Sequence, residues 1–405
     1  METVDLVVIG CGPAGATAAR EAARRGLETV VLEKDAVIGA KRVCAAGLRP
    51  GFCEEFDLPR DIVHFDTSRL ALFDNDGREH EVLFGPGHTS TREELDGTMA
   101  ALAVREGADI RTHSLFRSIE SDGKRAVVEY ADAIAGQRKQ IAARNVFVAS
   151  GATVNLAGVR TEPDAASRLE YDRWRDGLMT TLQYRVYLDA PAIDIAYRTL
   201  ELHYYPSRDG RQIVAWMFPK RDHLAIGLGL VGKLPGLELR AELDAFTERV
   251  RTRLYAHRRV VAIKEEGHLL YGGDPRPRFS DGNVLLGGTA AGLVDATNGE
   301  GIYEAAMSGR LAAEALAEDR SDPVRAAARY AGRVGSQFVR RLVHRVQLMR
   351  FMENRPARYA LLFEQLSRFP RFADALQKDD GVRTLRDKAW LYGQALWFAV
   401  RAARC

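Results

Sequence analysis

The feature that most constrains the fold of this chain is a glycine-rich turn near its N-terminus. Gly10, Gly12 and Gly15 follow the apolar segment VDLVVI and precede an alanine-rich segment at 16–25. The apolar run is typical of a buried strand, and the alanine-rich run is typical of a helix. In such a turn the first glycine permits the bend, the second lets a pyrophosphate approach the backbone, and the third lets helix and strand pack closely. The pattern predicts a Rossmann-like βαβ unit, with Ala14 also in its cofactor-binding turn.

An acidic residue stands where a dinucleotide site needs one. The segment ETVVL at 28–32 predicts a second strand, and Glu33 ends it, about 20 residues beyond the turn, where a carboxylate can hold ribose hydroxyls. An acid here rejects a 2′-phosphate, which argues against NADP at this site. Strand, turn, helix and acid together favour a dinucleotide site over the alternative, a chance glycine turn.

A second glycine-rich segment, at 287–301, favours FAD over NAD. It follows a predicted strand, NVLL, and precedes a second alanine-rich helix. Its candidate cofactor-contacting residues are Gly288, Thr289, Gly292, Gly299, Gly301 and Ile302. Two glycine turns, the second before a helix N-terminus, indicate another close approach of backbone to cofactor. The alternative is a plain loop followed by a capped helix.

Composition narrows the class of protein. A net charge of +3 over 405 residues is too small to argue for nucleic acid binding. The four cysteines form no CxxC pair and show no metal-ligand spacing, which favours a reducing cytoplasm and predicts no metal site. The N-terminal apolar run lacks a basic flank, and no apolar window reaches 18 residues. We therefore expect a cytoplasmic protein with neither signal peptide nor membrane span.

Between the glycine-rich segments the chain alternates between apolar and polar residues as strands do. Candidate strands cover residues 127–130, 141–149, 178–188, 198–206, 213–219 and 224–230. Trp216 and Phe218 share one face of their strand by its two-residue period, and Pro219 ends it because it cannot donate to the ladder. Aromatic residues on one face usually belong to a core, so core and binding surface both stay open.

This stretch also carries a resemblance. Trp216-x-Phe218-Pro219, followed after seven intervening residues by Gly227-x-Gly229, is similar to a motif of the geranylgeranyl reductase family of FAD-dependent oxidoreductases. In that family an aromatic residue, x, Trp, x, Phe and Pro precede GxG. The resemblance implies that these five residues line a prenyl channel.

The likeness extends over residues 4 to about 318. GTAAG and NGEGI in the second glycine-rich segment resemble the family's GDAAG and TGEGI. Cys44 falls where the family has a cysteine near the flavin ring, and Arg92 matches an arginine that contacts the FAD phosphates. The resemblance makes Cys44 a candidate catalytic residue, shaping the flavin face or assisting proton delivery; the alternative is a small buried apolar residue.

The chain departs from the family pattern at four positions. Thr289 replaces an aspartate that bonds the ribityl chain, and Ser150 stands where the wider p-hydroxybenzoate hydroxylase-like class has an aspartate. Ala296 stands where a proline is common, and Val214 replaces the first aromatic residue of the Trp motif.

The resemblance implies an α/β fold: a Rossmann-like FAD-binding domain with an inserted mixed β-sheet substrate domain and a C-terminal helical region. The expected boundaries are 1–170 with 265–320 for the FAD domain, 171–264 for the substrate sheet and 321–405 for the helices. The implied reaction is hydrogenation of C=C bonds in a geranylgeranyl or other polyprenyl chain on a lipid, quinone or chlorophyll-type molecule. FAD would carry the hydride, and the electron donor would be NADPH, NADH or ferredoxin.

The last third of the chain is basic. Seven arginines and one acidic residue, Glu353, fall within 333–358, with apolar residues at helical spacing among them. Such a helix suits an anionic membrane surface, with Arg340, Arg341 and Arg345 as contacts, or it packs on the body with a solvated cationic face. Residues 385–404 predict a final helix that caps the channel or docks on the body.

Two other functions stay open. One is a flavin monooxygenase or halogenase on the same scaffold, although Phe218-Pro219 and the missing first aromatic residue argue against the halogenase motif. The other is a flavin or prenyl-lipid binder without catalysis, which Thr289 and Ser150 suggest.

Overall fold

The computed structural model describes residues 1–40, 44–154, 156–162, 165–189, 199–208, 210–231, 236–353, 355–378 and 383–403. Val43 and Cys405, and residue 198 at the start of a predicted strand, lie outside these ranges.

The chain contains both strands and helices, with alternation near the N-terminus, a run of strands in the middle and helices at the C-terminal end. The strands are β1 Glu2–Ile9, β2 Thr29–Leu32, β3 Gly47–Leu48, β4 Phe65–Phe73, β5 Glu79–Thr89, β6 Asp109–Arg111, β7 Ser114–Ser121, β8 Ala126–Asp132, β9 Gln137–Val148, β10 Val159–Glu162, β11 Ala165–Ala166, β12 Leu178–Leu188, β13 Leu200–Pro206, β14 Gln212–Pro219, β15 His223–Val231, β16 Val260–Tyr271, β17 Ser280–Asp281 and β18 Val284–Leu286. The helices are α1 Pro13–Arg24, α2 Phe52–Glu55, α3 Arg92–Arg105, α4 Gly236–Val250, α5 Ile302–Glu318, α6 Pro323–Val334, α7 Arg340–Met352, α8 Pro356–Arg368, α9 Pro370–Gln377 and α10 Leu385–Ala402.

The chain divides into two compact units. The first comprises Met1–Ala40, Arg92–Leu178 and Leu270–Val343. Its sheet runs β11-β10-β7-β8-β9-β1-β2-β6, with β18 also paired to β9. Strand β1 lies parallel to both β2 and β9. The crossover through α1 returns the chain to β2 in the same direction. The predicted βαβ unit is confirmed, and the Rossmann-like fold class with it.

The second unit comprises Lys41–Thr91, Met179–Leu269 and His344–Cys405. Its sheet runs β16-β12-β15-β14-β13-β4-β5-β3. Alternate residues of β14 point to opposite faces, so each face supports a separate core. Ile213, Ala215 and Met217 pack with α4, whereas Phe218 and the partly buried Trp216 pack with apolar residues of α7 to α10.

The compact units divide the chain at different positions from the predicted domains. Residues 41–91 were expected in the FAD domain, but β4 pairs in parallel with β13, with Leu72 opposite Leu202, and so belongs to the second sheet. Part of the predicted C-terminal region, up to 343, belongs to the first unit instead. There the Tyr330 hydroxyl of α6 donates to the Leu286 carbonyl at 2.6 Å. Such pairings join distant segments, which local sequence patterns do not reveal.

Candidate functional site

At two positions of the N-terminal turn, the protein's own backbone leaves no room for a side chain. Gly10 has φ of +95°, and a Cβ there would lie 2.6 Å from the Ala149 carbonyl oxygen. A Cβ on Gly15 would lie 1.9 Å from the Gly10 carbonyl oxygen. Side chains at either position would therefore force strand, turn and helix apart.

Gly12 differs because the described residues leave the space beside it open. It precedes the first residue of α1, and within the part of the chain that the structure describes a Cβ there would meet one atom within 4 Å, the Arg92 Nη2 at 3.7 Å. Arg92 is held by a bidentate ion pair with the buried Asp96, at 2.9 and 2.6 Å. A helix N-terminus and a fixed guanidinium thus converge on the bare backbone at Gly12. That arrangement can bind the pyrophosphate of a dinucleotide.

Glu33 lies buried at the end of β2 and is tied to the glycine turn. Its Oε2 accepts the Cys11 N–H at 2.8 Å, and its Oε1 accepts the Asp35 N–H at 3.0 Å. Two backbone donors fix the carboxylate in place, and each oxygen keeps a further lone pair for a ribose hydroxyl. Burial, with the charges of Glu33 and Asp96, raises the pKa of the Cys11 thiol well above its usual range, so Cys11 stays neutral.

The second glycine-rich segment forms a short 3₁₀ turn, Gly288–Ala291, directly after β18. Gly288 and Gly292 have φ of +55° and +77°, and Thr289 between them is half-buried. A Cβ on Gly288 would lie 3.1 Å from the Cβ of Ala14. Ala14 therefore packs beneath this turn, which gives a structural reason for a small residue there.

The segment ends at the N-terminus of α5. Gly299 has φ of +76°, and a Cβ on Gly301 would lie 3.1 Å from Val294 Cγ2. Helix α5 then begins at Ile302 without a side-chain cap. The positive end of the helix dipole can stabilise negative charge on a cofactor placed before it.

A buried cation that the sequence analysis missed braces the 3₁₀ turn. Arg276 donates from Nε to the Ala290 carbonyl at 2.7 Å and from Nη1 to the Leu169 carbonyl at 2.9 Å. Its guanidinium lies 3.9 Å from the ring centroid of Trp174, which stacks on Tyr271 with centroids 3.7 Å apart. Burial lowers the pKa of Arg276 to about 10. Nothing in the local pattern PRP distinguishes this arginine from a solvated one.

In the second unit, the residues of the Trp motif form one cross-strand arrangement. Trp216 of β14 is paired with Gly227 of β15, which is paired with Gln183 of β12. The indole lies across Gly227, where a Cβ would come within 2.3 Å of the ring, and its Nε1 donates to Gln183 Oε1 at 2.9 Å. A Cβ on Gly229 would meet the Thr181 methyl at 2.9 Å. Both glycines thus make room for protein side chains; direct substrate contact by them stays a prediction.

The end of β14 holds the segment that contains Cys44. The buried Lys220 Nζ donates to the Ala45 carbonyl, and a Cβ on Gly47 would lie 2.7 Å from the Phe218 ring. The Pro219 carbonyl accepts the Thr89 hydroxyl at 3.3 Å. The half-buried Cys44 Sγ accepts the N–H of Ala46, a residue with φ of +45°. Lys220 and Phe218 are therefore positioning residues for the Cys44 segment.

The arginine-rich stretch differs from its predicted form. Arg341 is buried and pairs with the fully buried Glu304 at 2.5 Å, so it cannot face a membrane. Arg345 donates to the Leu376 carbonyl at 2.7 Å. Apolar side chains of the same stretch, including Phe338 and Leu342, are buried. The predicted membrane contact of Arg341 is therefore wrong, whereas contact by an exposed arginine of the stretch such as Arg340 stays a prediction. Among the described residues, no helix is long and apolar enough to cross a membrane.

Comparisons with known proteins agree with the assignment of this site to FAD. A model of the family described as FAD dependent oxidoreductase (DAO) matches residues 5–75. The chain is 28% identical over 320 residues to geranylgeranyl diphosphate reductase of Rhodobacter capsulatus, covering 77% of this chain and 74% of that protein. It is 30% identical over 325 residues to digeranylgeranylglycerophospholipid reductase 1 of Methanopyrus kandleri, covering 78% and 80%.

Solved structures show the same fold. A geranylgeranyl bacteriochlorophyll reductase-like protein from Thermoplasma acidophilum superposes with a TM-score of 0.66 at 21% identity, covering 96% of this chain and 95% of that one. The flavin-dependent brominase Bmp2 also superposes with a TM-score of 0.66, at 18% identity, covering 92% of each chain. At these identities the likeness concerns the fold and does not choose between the chemistries.

Proposed function

Because this chain belongs to the geranylgeranyl reductase family of FAD-dependent oxidoreductases, we propose that it hydrogenates C=C bonds of a geranylgeranyl or other polyprenyl chain. The observation that carries the proposal is the open backbone at Gly12 opposite Arg92, since it preserves a pyrophosphate site in a chain whose relatives bear reductase names. The carrier of the prenyl chain is a lipid, quinone or chlorophyll-type molecule.

Each cofactor-contacting residue has a distinct task in this proposal. Gly12 and Arg92 bind the pyrophosphate, and Glu33 accepts hydrogen bonds from the ribose. Thr289 offers a hydroxyl to the ribityl chain from a turn that Arg276 holds in place. FAD, once bound and reduced, supplies a hydride to one alkene carbon.

The protein must orient the alkene and deliver a proton to its second carbon. Trp216 and Phe218 are the proposed prenyl contacts, because they share one face of β14 with other apolar side chains. Cys44 is the proposed proton-delivering group, and Lys220 fixes the backbone beside it. No nucleophile or metal ion is needed for this addition of two hydrogens, only positioning and exclusion of competing water.

The decisive experiment is anaerobic turnover of the dithionite-reduced protein. Candidate substrates are geranylgeranyl diphosphate, a geranylgeranyl phospholipid, a prenylated quinone and a geranylgeranylated chlorophyll precursor, with product mass as the readout. We expect a gain of two hydrogens for each bond reduced. Replacing dithionite by NADPH, NADH or reduced ferredoxin then identifies the electron donor. Full flavin reduction without any hydrogenated product would refute the proposal.

A matched pair of variants tests the assignment of Trp216 to the substrate. Trp216→Ala removes both the aromatic surface and the hydrogen bond to Gln183, whereas Trp216→Phe removes only the hydrogen bond. If the ring contacts the prenyl chain, the alanine variant loses turnover at unchanged FAD affinity and the phenylalanine variant keeps most of it. If both variants lose stability and lose turnover in step with it, Trp216 acts only in the core.

A flavin-dependent halogenase or monooxygenase is the second candidate, since the brominase Bmp2 shares the fold. Such an enzyme consumes oxygen while it modifies a substrate. Oxygen uptake coupled to a hydroxylated or halogenated product, with no anaerobic hydrogenation, would favour it.

A further inference from the structure

The C-terminal helix α10 docks on the second unit by one side only. Leu391 and Phe398 join the apolar cluster of the α7–α10 helices, and Ala402 is fully buried. The Gln365 side chain donates to the Gln394 carbonyl at 3.0 Å. These contacts recur every three or four residues, so they occupy one face of the helix.

The opposite side of α10 is also apolar, and it is exposed. Leu385, Tyr392, Leu396 and Val400 are 85%, 62%, 67% and 51% exposed. Their spacing of seven, four and four residues places them on a single stripe, which we call the outer stripe. A helix that is apolar all round is ordinarily covered on all sides, so the outer stripe implies a further partner.

Aromatic residues border the outer stripe. Trp390 and Trp397 are both exposed. Trp and Tyr are enriched at membrane–water interfaces, because their rings are apolar and their polar atoms remain hydrated.

Positive charge flanks the stripe at both ends. Arg386 and Lys388 are exposed in the first turn, and Arg401 lies in the last, where its guanidinium stacks 4.7 Å from the Trp397 ring. The one acidic residue of the helix, Asp387, is held in a capping box with Thr384. No charged residue occurs between 389 and 400.

We propose that α10 binds the surface of an anionic membrane, with the outer stripe inserted at the headgroup boundary and the flanking cations against lipid phosphates. An exposed apolar stripe bordered by Trp and Tyr and flanked by Arg and Lys has the composition of an interfacial helix. This inference goes beyond the proposed reaction, since binding requires neither FAD nor turnover.

A second copy of this chain is a less suitable occupant. Both ends of α10 are basic, so pairing two such helices in either direction places like charges together. An anionic bilayer neutralises both ends at once. The charge pattern therefore favours an anionic membrane over a second copy of this chain.

Vesicle flotation of the full-length protein tests the proposal. Phosphatidylcholine vesicles with and without phosphatidylglycerol are compared at low and high salt. We expect binding that requires phosphatidylglycerol and weakens with salt. The double variant Leu385→Gln, Leu396→Gln should bind on the order of tenfold or more weakly, since two apolar side chains no longer insert.

Ile134→Gln is the matched control, because Ile134 is 77% exposed in the turn between β8 and β9 of the other unit. It should bind as the native protein does. Brominated lipids provide an independent measurement: they should quench tryptophan fluorescence in the native protein and much less in Trp390→Phe, Trp397→Phe.

Two outcomes would overturn the proposal. One is flotation or quenching that the α10 variants leave unchanged. The other is a dimer in sedimentation that the leucine variant converts to a monomer, while neither protein binds vesicles.

Discussion

Gly12 and Gly227 lie in the two regions that carry the proposed chemistry, and they use the absence of a side chain in opposite ways. In the first unit, the described residues leave the space beside Gly12 open apart from the tip of Arg92, 3.7 Å from where a Cβ would stand. In the second unit, the space beside Gly227 is filled by the Trp216 indole, which a Cβ would meet at 2.3 Å. One glycine keeps room for a ligand, and the other keeps room for the protein.

This difference teaches that a motif glycine does not by itself indicate a binding surface. A substitution at Gly12 should act on cofactor binding and leave folding intact. A substitution at Gly227 should act on folding and reach the substrate only through Trp216. The predictions below test this separation, beginning with the largest expected effect.

Gly12→Val should abolish FAD uptake, weakening the affinity by about a hundredfold or more, because its side chain occupies the pyrophosphate approach. The unfolding temperature of the apoprotein should stay near that of the native apoprotein. Gly97→Val is the control, since a Cβ on Gly97 of α3 meets no atom of the described ranges within 4 Å. The measurement is titration of FAD into the apoproteins. Native FAD affinity in Gly12→Val would contradict the assignment of the space beside Gly12 to the cofactor.

Gly227→Ala should destabilise the protein by about 1–3 kcal/mol, because the new methyl group overlaps the indole and neither strand can withdraw freely. The free energy of unfolding in urea measures this effect. In a double-mutant cycle with Trp216→Ala, the combined loss should be smaller than the sum of the single losses. Strict additivity would mean that Gly227 does not serve to accommodate the indole.

Lys220→Met should loosen the Cys44 segment, since the buried ammonium that holds the Ala45 carbonyl is gone. We expect faster alkylation of Cys44 by iodoacetamide at pH 8 in a Cys405→Ser background. Burial raises the pKa of Cys53 to about 11 and that of Cys11 further, so both remain protonated thiols and react slowly. Lys220→Arg should restore the slower rate; identical rates in all three proteins would remove the positioning role.

Thr289→Asp should tighten FAD binding several-fold, by about 1 kcal/mol, because a carboxylate accepts stronger hydrogen bonds from ribityl hydroxyls than a threonine hydroxyl does. Thr289→Asn has the same reach without the charge and should gain less. The FAD affinities of the three apoproteins, measured by titration, separate the effect of side-chain reach from the effect of charge. Equal or weaker binding by the aspartate variant would identify Thr289 as an adaptation to its own turn.

Local patterns predicted the elements of the cofactor region closely. The expected strand VDLVVI and the helix at 16–25 correspond to β1 and α1, and the alanine-rich helix expected after the second glycine-rich segment corresponds to α5. These elements could be predicted because strand, turn and helix signals lie within one short stretch of chain. The alternation at 213–219 likewise predicted β14 and the shared face of Trp216 and Phe218.

Other features depended on residues far apart in the chain. Residues 41–91 join the second sheet because β4 pairs with β13, more than a hundred residues away. Arg341 looked like a surface cation by composition, yet it is buried because Glu304 of a different helix neutralises it. Arg276 braces the 3₁₀ turn through carbonyl groups that no sequence pattern marks.

The sequence by itself determined the cofactor class and the local architecture around it, since glycine spacing and hydrophobic period act over a few residues. Only the tertiary structure decided whether the space beside each glycine is left for a ligand or filled by a protein side chain. It also decided which apolar helix exposes one of its faces. Whether a glycine or a leucine is covered depends on side chains from segments that are distant in the sequence. Gly227 is covered by Trp216, Arg341 is covered with its partner Glu304, and the outer stripe of α10 stays exposed, where we propose that a membrane binds.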